Sequence, residues 1–233
     1  MSSNAVVLIL GAGPRIGAAV AESFAAKCYQ VALASRTGTG VKTDRGYLSL
    51  KVDLAHSTAI PSLFQAVNAE FQSPPSVIVY NAGSLTPPPD QNDPLSIPGA
   101  DVERDFVVNT VAPYVAAHEA VKGWAGLPGD VKKSFIYTGN ITNVAIVPMP
   151  LMVNGGMGKA ASAYWLGTAD MLYKERGYRF FYADERNADG RLKGAQLDGP
   201  AAGEFYTQLA THEGSVPWHA TFVKGQGYKK FAV

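Results

Sequence analysis

Short apolar runs alternate with longer stretches whose apolar residues recur at helical spacing, and this alternation persists along most of the chain. The runs Ala5–Leu10, Gln30–Ser35, Tyr47–Val52, Ser76–Tyr80, Lys133–Thr138 and Arg179–Tyr182 predict buried strands, with helices at about 14–27, 58–72, 101–123 and 156–176 between them. Regular strand and helix alternation predicts an α/β fold, a doubly wound parallel sheet of Rossmann type, as a single domain over residues 1–233. The proline-rich stretch Ser84–Gly99 predicts a loop on the ligand side of that sheet. Near the C-terminus the rhythm changes. Tyr178–Arg186 and Arg191–Leu197 flank the turn-forming Asn187-Ala188-Asp189-Gly190, which predicts a C-terminal β-hairpin. A helix near Pro200–Thr211 and a strand near His219–Val223 are expected to close the sheet.

A chain of 233 residues with 47% hydrophobic and 17% charged side chains supports one substantial core. The net charge of +1 gives no broad field for nucleic acid or an anionic membrane, so neither is an expected partner. No apolar stretch approaches the roughly 20 residues that span a bilayer, and the apolar segment near the N-terminus, lacking a basic leader, reads as a strand. Cys28 is the only cysteine. It permits no intrachain disulfide, fits a reducing, cytoplasmic setting, and reads as a packing residue at the end of the first helix. His56, His118, His212 and His219 show no ligand spacing, so no metal site is expected.

The chemistry starts directly after the first strand, in Leu10-Gly11-Ala12-Gly13-Pro14-Arg15-Ile16-Gly17. Gly11 and Gly13 allow a tight turn and close approach to a pyrophosphate, and Gly17 lets the following helix pack on the strand, its N-terminus facing the anion. Pro14 suits a helix start, where its missing N–H costs little. The second strand ends in Ser35-Arg36, with no acidic residue where one would bind the 2′-hydroxyl of NAD. A guanidinium there pairs with the 2′-phosphate of NADP, and Arg15 offers a second cation, so NADP(H) is expected ahead of NAD(H).

Further matches follow in order: Asp53-Leu54 after the third strand, Asn81-Ala82-Gly83 after the fourth, and Asn109 in a helix. With these residues the chain resembles the short-chain dehydrogenase/reductase family up to about residue 186. The resemblance implies an oxidoreductase acting on a small molecule, with Asp53 and Leu54 at the adenine, Asn81, Ala82 and Gly83 lining the cofactor, and Asn109 maintaining a helix distortion or a water. It further implies that Lys159 contacts the nicotinamide ribose. The small residues after Lys159 fit a helix that forms a homodimer or homotetramer interface by the same analogy.

The sequence also departs from the family pattern. Arg15 stands where the family has its middle glycine. Gly155 occupies the place of the family tyrosine four residues before Lys159, the spacing that sets two side chains together on a helix. The alternative Tyr47-x-x-x-Lys51 lies on a strand, where such residues are over 13 Å apart by the usual rise, and is a chance match. For the family serine, Thr138 and Thr142 are both candidates. Ala183-Asp184-Glu185-Arg186 replaces the family's proline–glycine pair. Asp184 at the strand end is read either as an acid near the nicotinamide or as half of a surface salt bridge with Arg186. Met149, Leu151 and Met152 read as an apolar substrate wall, or equally as core or subunit interface. The candidate catalytic set is therefore Lys159, Asn109, Thr138 and Asp184, with an oxidoreductase that does not use the family tyrosine as the leading expectation. A non-catalytic NADP(H)-binding module, or a cyclase or isomerase using the cofactor structurally, are the alternatives.

Overall fold

Five consecutive aliphatic residues, Val6–Leu10, form strand β1, and all five are buried, which places this strand in the middle of the sheet. The computed structural model describes residues 5–231. On either side of β1 lie β2 (Gln30–Ser35) and β4 (Val77–Tyr80), both parallel, with Val7 opposite Val31 and Val77. Beyond β2 runs β3 (Leu48–Lys51); beyond β4 run β5 (Lys133–Thr138), β6 (Tyr178–Glu185) and β7 (His219–Val223), all parallel. The short β8 (Gly227–Tyr228) closes the edge antiparallel, giving the order β3-β2-β1-β4-β5-β6-β7-β8. The order reverses between β1 and β4. Crossovers leave in opposite directions there, and a crevice opens at the strands' carboxyl ends.

Strand side chains alternate between faces, so Val6, Leu8 and Leu10 join one core cluster while Val7 and Ile9 join the other. Helices α2 (Ile60–Phe71), α4 (Ala112–Trp124) and α5 (Met152–Tyr173) cover the first face, and α1 (Ile16–Ala26) and α6 (Gly199–Ala210) the second. A short helix α3 (Gly99–Phe106) precedes α4. Helices α1 and α6 pack almost backbone to backbone. A Cβ at Gly203 would meet Ser23 Oγ at 2.2 Å, and one at Gly199 would meet the Arg15 carbonyl at 2.9 Å, so α6 buttresses the start of α1 from behind.

Four sequence expectations change. The turn at Asn187–Gly190 forms, with Asn187 N–H donating to Arg191 O at 3.0 Å, but no hairpin follows. β6 extends past Tyr182 to Glu185 and is flanked by β5 and β7, so Arg191–Leu197 has no free edge; a single antiparallel bridge, Arg186 with Leu192, remains. The antiparallel pair is β7 and β8 instead. The helix expected over 101–123 is divided by a π-helical segment, Val107–Val111. Pro113 explains part of this: it has no N–H for the carbonyl of Asn109, one turn earlier. The expected helix 156–176 begins sooner, because Gly155 and Gly156 sit inside α5 and not at its edge. Cys28 is exposed, in a left-handed turn with φ 63°, and packs no core.

Candidate functional site

The crevice is a cleft of about 610 Å³. Its floor is the glycine turn. Gly11 has φ +89°, and a Cβ there would lie 2.4 Å from Ala82 N, so both conformation and space demand glycine. The turn is braced from β4: Asn81 Nδ2 donates to the Gly11 carbonyl at 2.9 Å, and the N–H groups of Asn81 and Ala82 donate to Leu10 O at 2.8 and 3.1 Å. A Cβ at Gly17 would meet Ala12 Cα at 2.7 Å, whereas one at Gly13 meets nothing within 4 Å and faces the open cleft. Such a floor leaves backbone exposed to an anion at a helix start, which is the fit that a dinucleotide pyrophosphate requires.

The cleft walls include Ser35, Arg36, Asp53, Leu54, Asn81, Ala82, Gly83, Ser84 and Arg104. Of the expected cofactor residues, Arg15, Ile16 and Gly17 stand behind this surface: Arg15 is exposed at the start of α1, and the other two are buried in its first turn. Arg36 is exposed and takes part in no ion pair among the described residues. The Asp53 carboxylate turns back to accept Ala55 N–H at 3.0 Å.

At the inner end of the cleft Asn109 ties three segments together. Its side chain accepts from Ser84 N–H at 3.0 Å and donates to Ser84 O at 2.7 Å. Its carbonyl, deprived of a helical donor by Pro113, accepts from Tyr137 Oη at 2.8 Å and Ser162 Oγ at 2.7 Å. Gly158 packs on it so closely that a Cβ would lie 2.5 Å from Asn109 Cβ. Lys159, on the next residue of α5, donates to the Thr138 carbonyl at 2.5 Å and lies 4.5 Å over the Tyr137 ring. Burial pulls its ammonium down to about 8, and the Asp184 carboxylate opposes that shift.

The other expected catalytic groups are placed differently. The Thr138 hydroxyl points to the opposite face of the sheet, accepting from Tyr206 Oη at 2.9 Å, so only its carbonyl belongs to the site. Thr142 is the hydroxyl near α5: a Cβ at Gly156 would meet Thr142 Cβ at 3.6 Å. Asp184 is fully buried and paired with Arg186 Nε at 2.5 Å, an internal ion pair in place of the surface one considered from sequence. Tyr137 and Tyr182 on the Lys159 side of the sheet, and Tyr206 on the other, have their hydroxyls engaged. Tyr137 donates to Asn109 O, Tyr182 to Asn140 O and Tyr206 to Thr138, and burial pushes all three phenols up. Sequence reasoning missed Asp105, Ser162 and Pro113; of these only Pro113, a helix breaker inside an apolar helical pattern, carried a local signal.

No family model matches the chain. The short chain dehydrogenase/reductase dmxR12 of Cryptosporiopsis sp. is 36% identical over 98% of this chain and 96% of its own length. The chain belongs to the short-chain dehydrogenase/reductase family. It is an oxidoreductase of that type. A short chain dehydrogenase of Aspergillus fumigatus, helC, is 26% identical over 52% of this chain and 48% of its own. Solved structures show the same fold. A metagenomic short-chain oxidoreductase in complex with NADP superposes with a TM-score of 0.77 at 19% identity, covering 95% of this chain and 98% of that one. A Brucella ovis oxidoreductase of the family, with a partially ordered NAD, gives 0.72 at 19%, covering 94% and 99%.

Within this family site, Lys159 has a folded-state value below the 10.5 of a free lysine. Between about pH 8 and that value the unfolded chain binds more protons than the folded one, so this group makes stability rise with pH across the window. Replacing it, Lys159→Met, is expected to remove that rise. Urea midpoints of both proteins at pH 7.5 and 9.5, expected with the window of roughly pH 8 to 10.5, provide the check, and an unchanged pH dependence in the variant would count against a buried ammonium.

Proposed function

We propose that the protein is an NADP(H)-dependent oxidoreductase for a small molecule, working without the tyrosine acid of its family. The observation that carries this reading is Gly155: one turn before Lys159 on α5 there is no side chain, and the neighbouring tyrosine hydroxyls are held by protein acceptors. When bound, the nicotinamide supplies or accepts a hydride. The chain's residues hold and orient it. Gly11 and Gly13 shape the pyrophosphate floor, Asn81 keeps that floor in place, and Lys159, one turn beyond Gly155, stands ready to meet the nicotinamide ribose. A positioned general acid contributes about 10²–10⁴-fold, so its loss disfavours simple ketones and favours acceptors that already carry positive charge or conjugated polarisation, such as iminium ions and enones.

Arg36 supports NADP(H) over NAD(H), because it lines the cleft beyond β2 without a competing carboxylate. The relative solved with NADP and the one solved with NAD share the fold, so the preference rests on this chain's own residue. A second copy of the chain is the proposed partner: Tyr114 and Trp165 meet edge to face, and Tyr114, Tyr164, Met171 and Leu172, between 58% and 81% exposed, leave an apolar outer surface on α4 and α5. The single exposed Cys28 is compatible with a reducing, cytoplasmic compartment.

Calorimetry with NADPH and NADH tests the cofactor reading. Arg36→Ala is expected to weaken NADPH binding about 10–100-fold, the range of hydrogen bonds to a charged group, and to leave NADH binding unchanged. Equal losses would remove the 2′-phosphate from the argument. Sedimentation velocity addresses assembly: the species expected is two or four times the 24.7 kDa chain, shifting to the monomer in Tyr164→Arg. A monomeric wild-type protein would refute the proposed partner.

A further inference from the structure

Leu85 lies directly against Gly155. A Cβ at position 155 would come within 2.7 Å of Leu85 Cδ1, so this leucine fills the room that a larger residue on α5 would take. Its position is held from both sides by one carboxylate. Asp105, fully buried at the end of α3, accepts Ser84 Oγ at 2.5 Å and Thr86 N–H at 2.7 Å, the two residues that flank Leu85. Asn154 Nδ2 on α5 reaches the same carboxylate at 3.2 Å, and Asn109 clamps Ser84 in addition. Leu85 is nonetheless 42% exposed. A leucine pinned at its backbone, half open to solvent and one residue from the cleft wall at Ser84, is a fixed apolar surface.

The loop that leads into α5 is uncharged. From Gly139 to Gly158, the segment that joins β5 to Lys159, there is no acidic or basic residue, and Val144, Ile146 and Met149 in it are exposed. Burial pushes the Asp105 carboxyl up, but hydrogen bonds from Ser84, Thr86 and Asn154 outweigh it and hold the group below the usual range, so it stays charged. No ion pair to it occurs among the described residues. The cations nearby are engaged elsewhere, Arg104 with Asp101 and Thr86, and Lys159 with the Thr138 carbonyl and the Tyr137 ring. The polar group beside the glycine pair is the Thr142 hydroxyl, which donates to Asn140 Oδ1 at 2.6 Å.

We infer that Leu85, braced by Asp105 against Gly155, is a specificity-determining residue that makes the site accept apolar substrates without negative charge and turn away anionic ones. The leucine offers an apolar packing surface, and the carboxylate behind it, which has no cationic partner, repels a negative charge. This rests on the reading of the cleft as an NADP(H) site, since the substrate lies beside the bound cofactor.

The test uses the full chain loaded with NADP⁺ and two probes of one ring system, naphthalenemethanol, which is uncharged, and naphthoate. Naphthalene fluorescence reports their binding. The wild-type protein is expected to hold naphthalenemethanol at least about tenfold more tightly than naphthoate. Leu85→Asp is expected to weaken the neutral probe by about tenfold or more while NADP⁺ binding, read by calorimetry, is unchanged. Asp105→Asn, which removes the charge and turns one of the two accepting oxygens into a donor, is expected to narrow the gap between the probes, with retained NADP⁺ binding showing that the variant is folded. Equal affinity for both probes, no binding of the neutral one, or an indifferent Leu85→Asp would overturn the inference alone. Absence of NADP⁺ binding to the wild-type protein would overturn the cofactor reading and the inference with it.

Discussion

Pro113 has no N–H, so the carbonyl of Asn109 lacks its helical partner, and the inner half of the site is arranged around that vacancy in the hydrogen-bond ladder. A buried carbonyl must be satisfied, and here Tyr137 from β5 and Ser162 from α5 both donate to it. Those two bonds set the distance between the sheet and α5. They also fix the ring over which Lys159 lies. The side chain of Asn109 holds Ser84 by two bonds, and Ser84 in turn is shared with Asp105. One interrupted turn thus couples the loop after β4, the end of α3 and the helix that carries Lys159. A π-helical segment in such a place is the kind of distortion that persists only where its surroundings hold it.

The two ends of the cleft follow different physical logic. The outer end is built from backbone: a positive φ at Gly11, a close approach at Gly17 and amide bonds from Asn81. Such requirements are written locally, in glycines at fixed spacing after a strand, and the sequence therefore displayed them. The inner end is built from contacts between residues far apart in the chain. Asp105 meets Ser84, Thr86 and Asn154, and Leu85 meets Gly155, none of which shares a motif with its partner. Asn109 was legible through its resemblance to a known pattern, but its carbonyl contacts were not. The direction of the Thr138 hydroxyl was equally hidden, because a strand's last residue can face either layer and the choice depends on register with β6.

Local signals also misled where tertiary constraints overrode them. Asn187–Gly190 does form a turn, yet a turn makes a hairpin only if the following segment has a strand edge to pair with, and β7 already occupies it. The helix expected from about residue 156 starts earlier, at Met152, although glycine costs about 1 kcal/mol in a helix interior and Gly155 and Gly156 both lie within it. They are inside α5 because the space around them is taken, by Leu85 at one and near Thr142 at the other. Asp184 at a strand end was open to two readings, an acid near the nicotinamide or half of a surface salt bridge with Arg186. Strand β6 is central, so its terminal charges are buried, and Arg186 accompanies Asp184 as a buried carboxylate requires.

The central claim is that this family member transfers hydride without a tyrosine acid, and it is tested most directly by single-turnover spectroscopy of protein-bound NADPH. The expected result is loss of the reduced-nicotinamide absorbance with iminium ions or conjugated enones and none with simple ketones of the same size. Equal rates for simple ketones would show that another group supplies the proton, and no oxidation by any acceptor would contradict hydride transfer at this site.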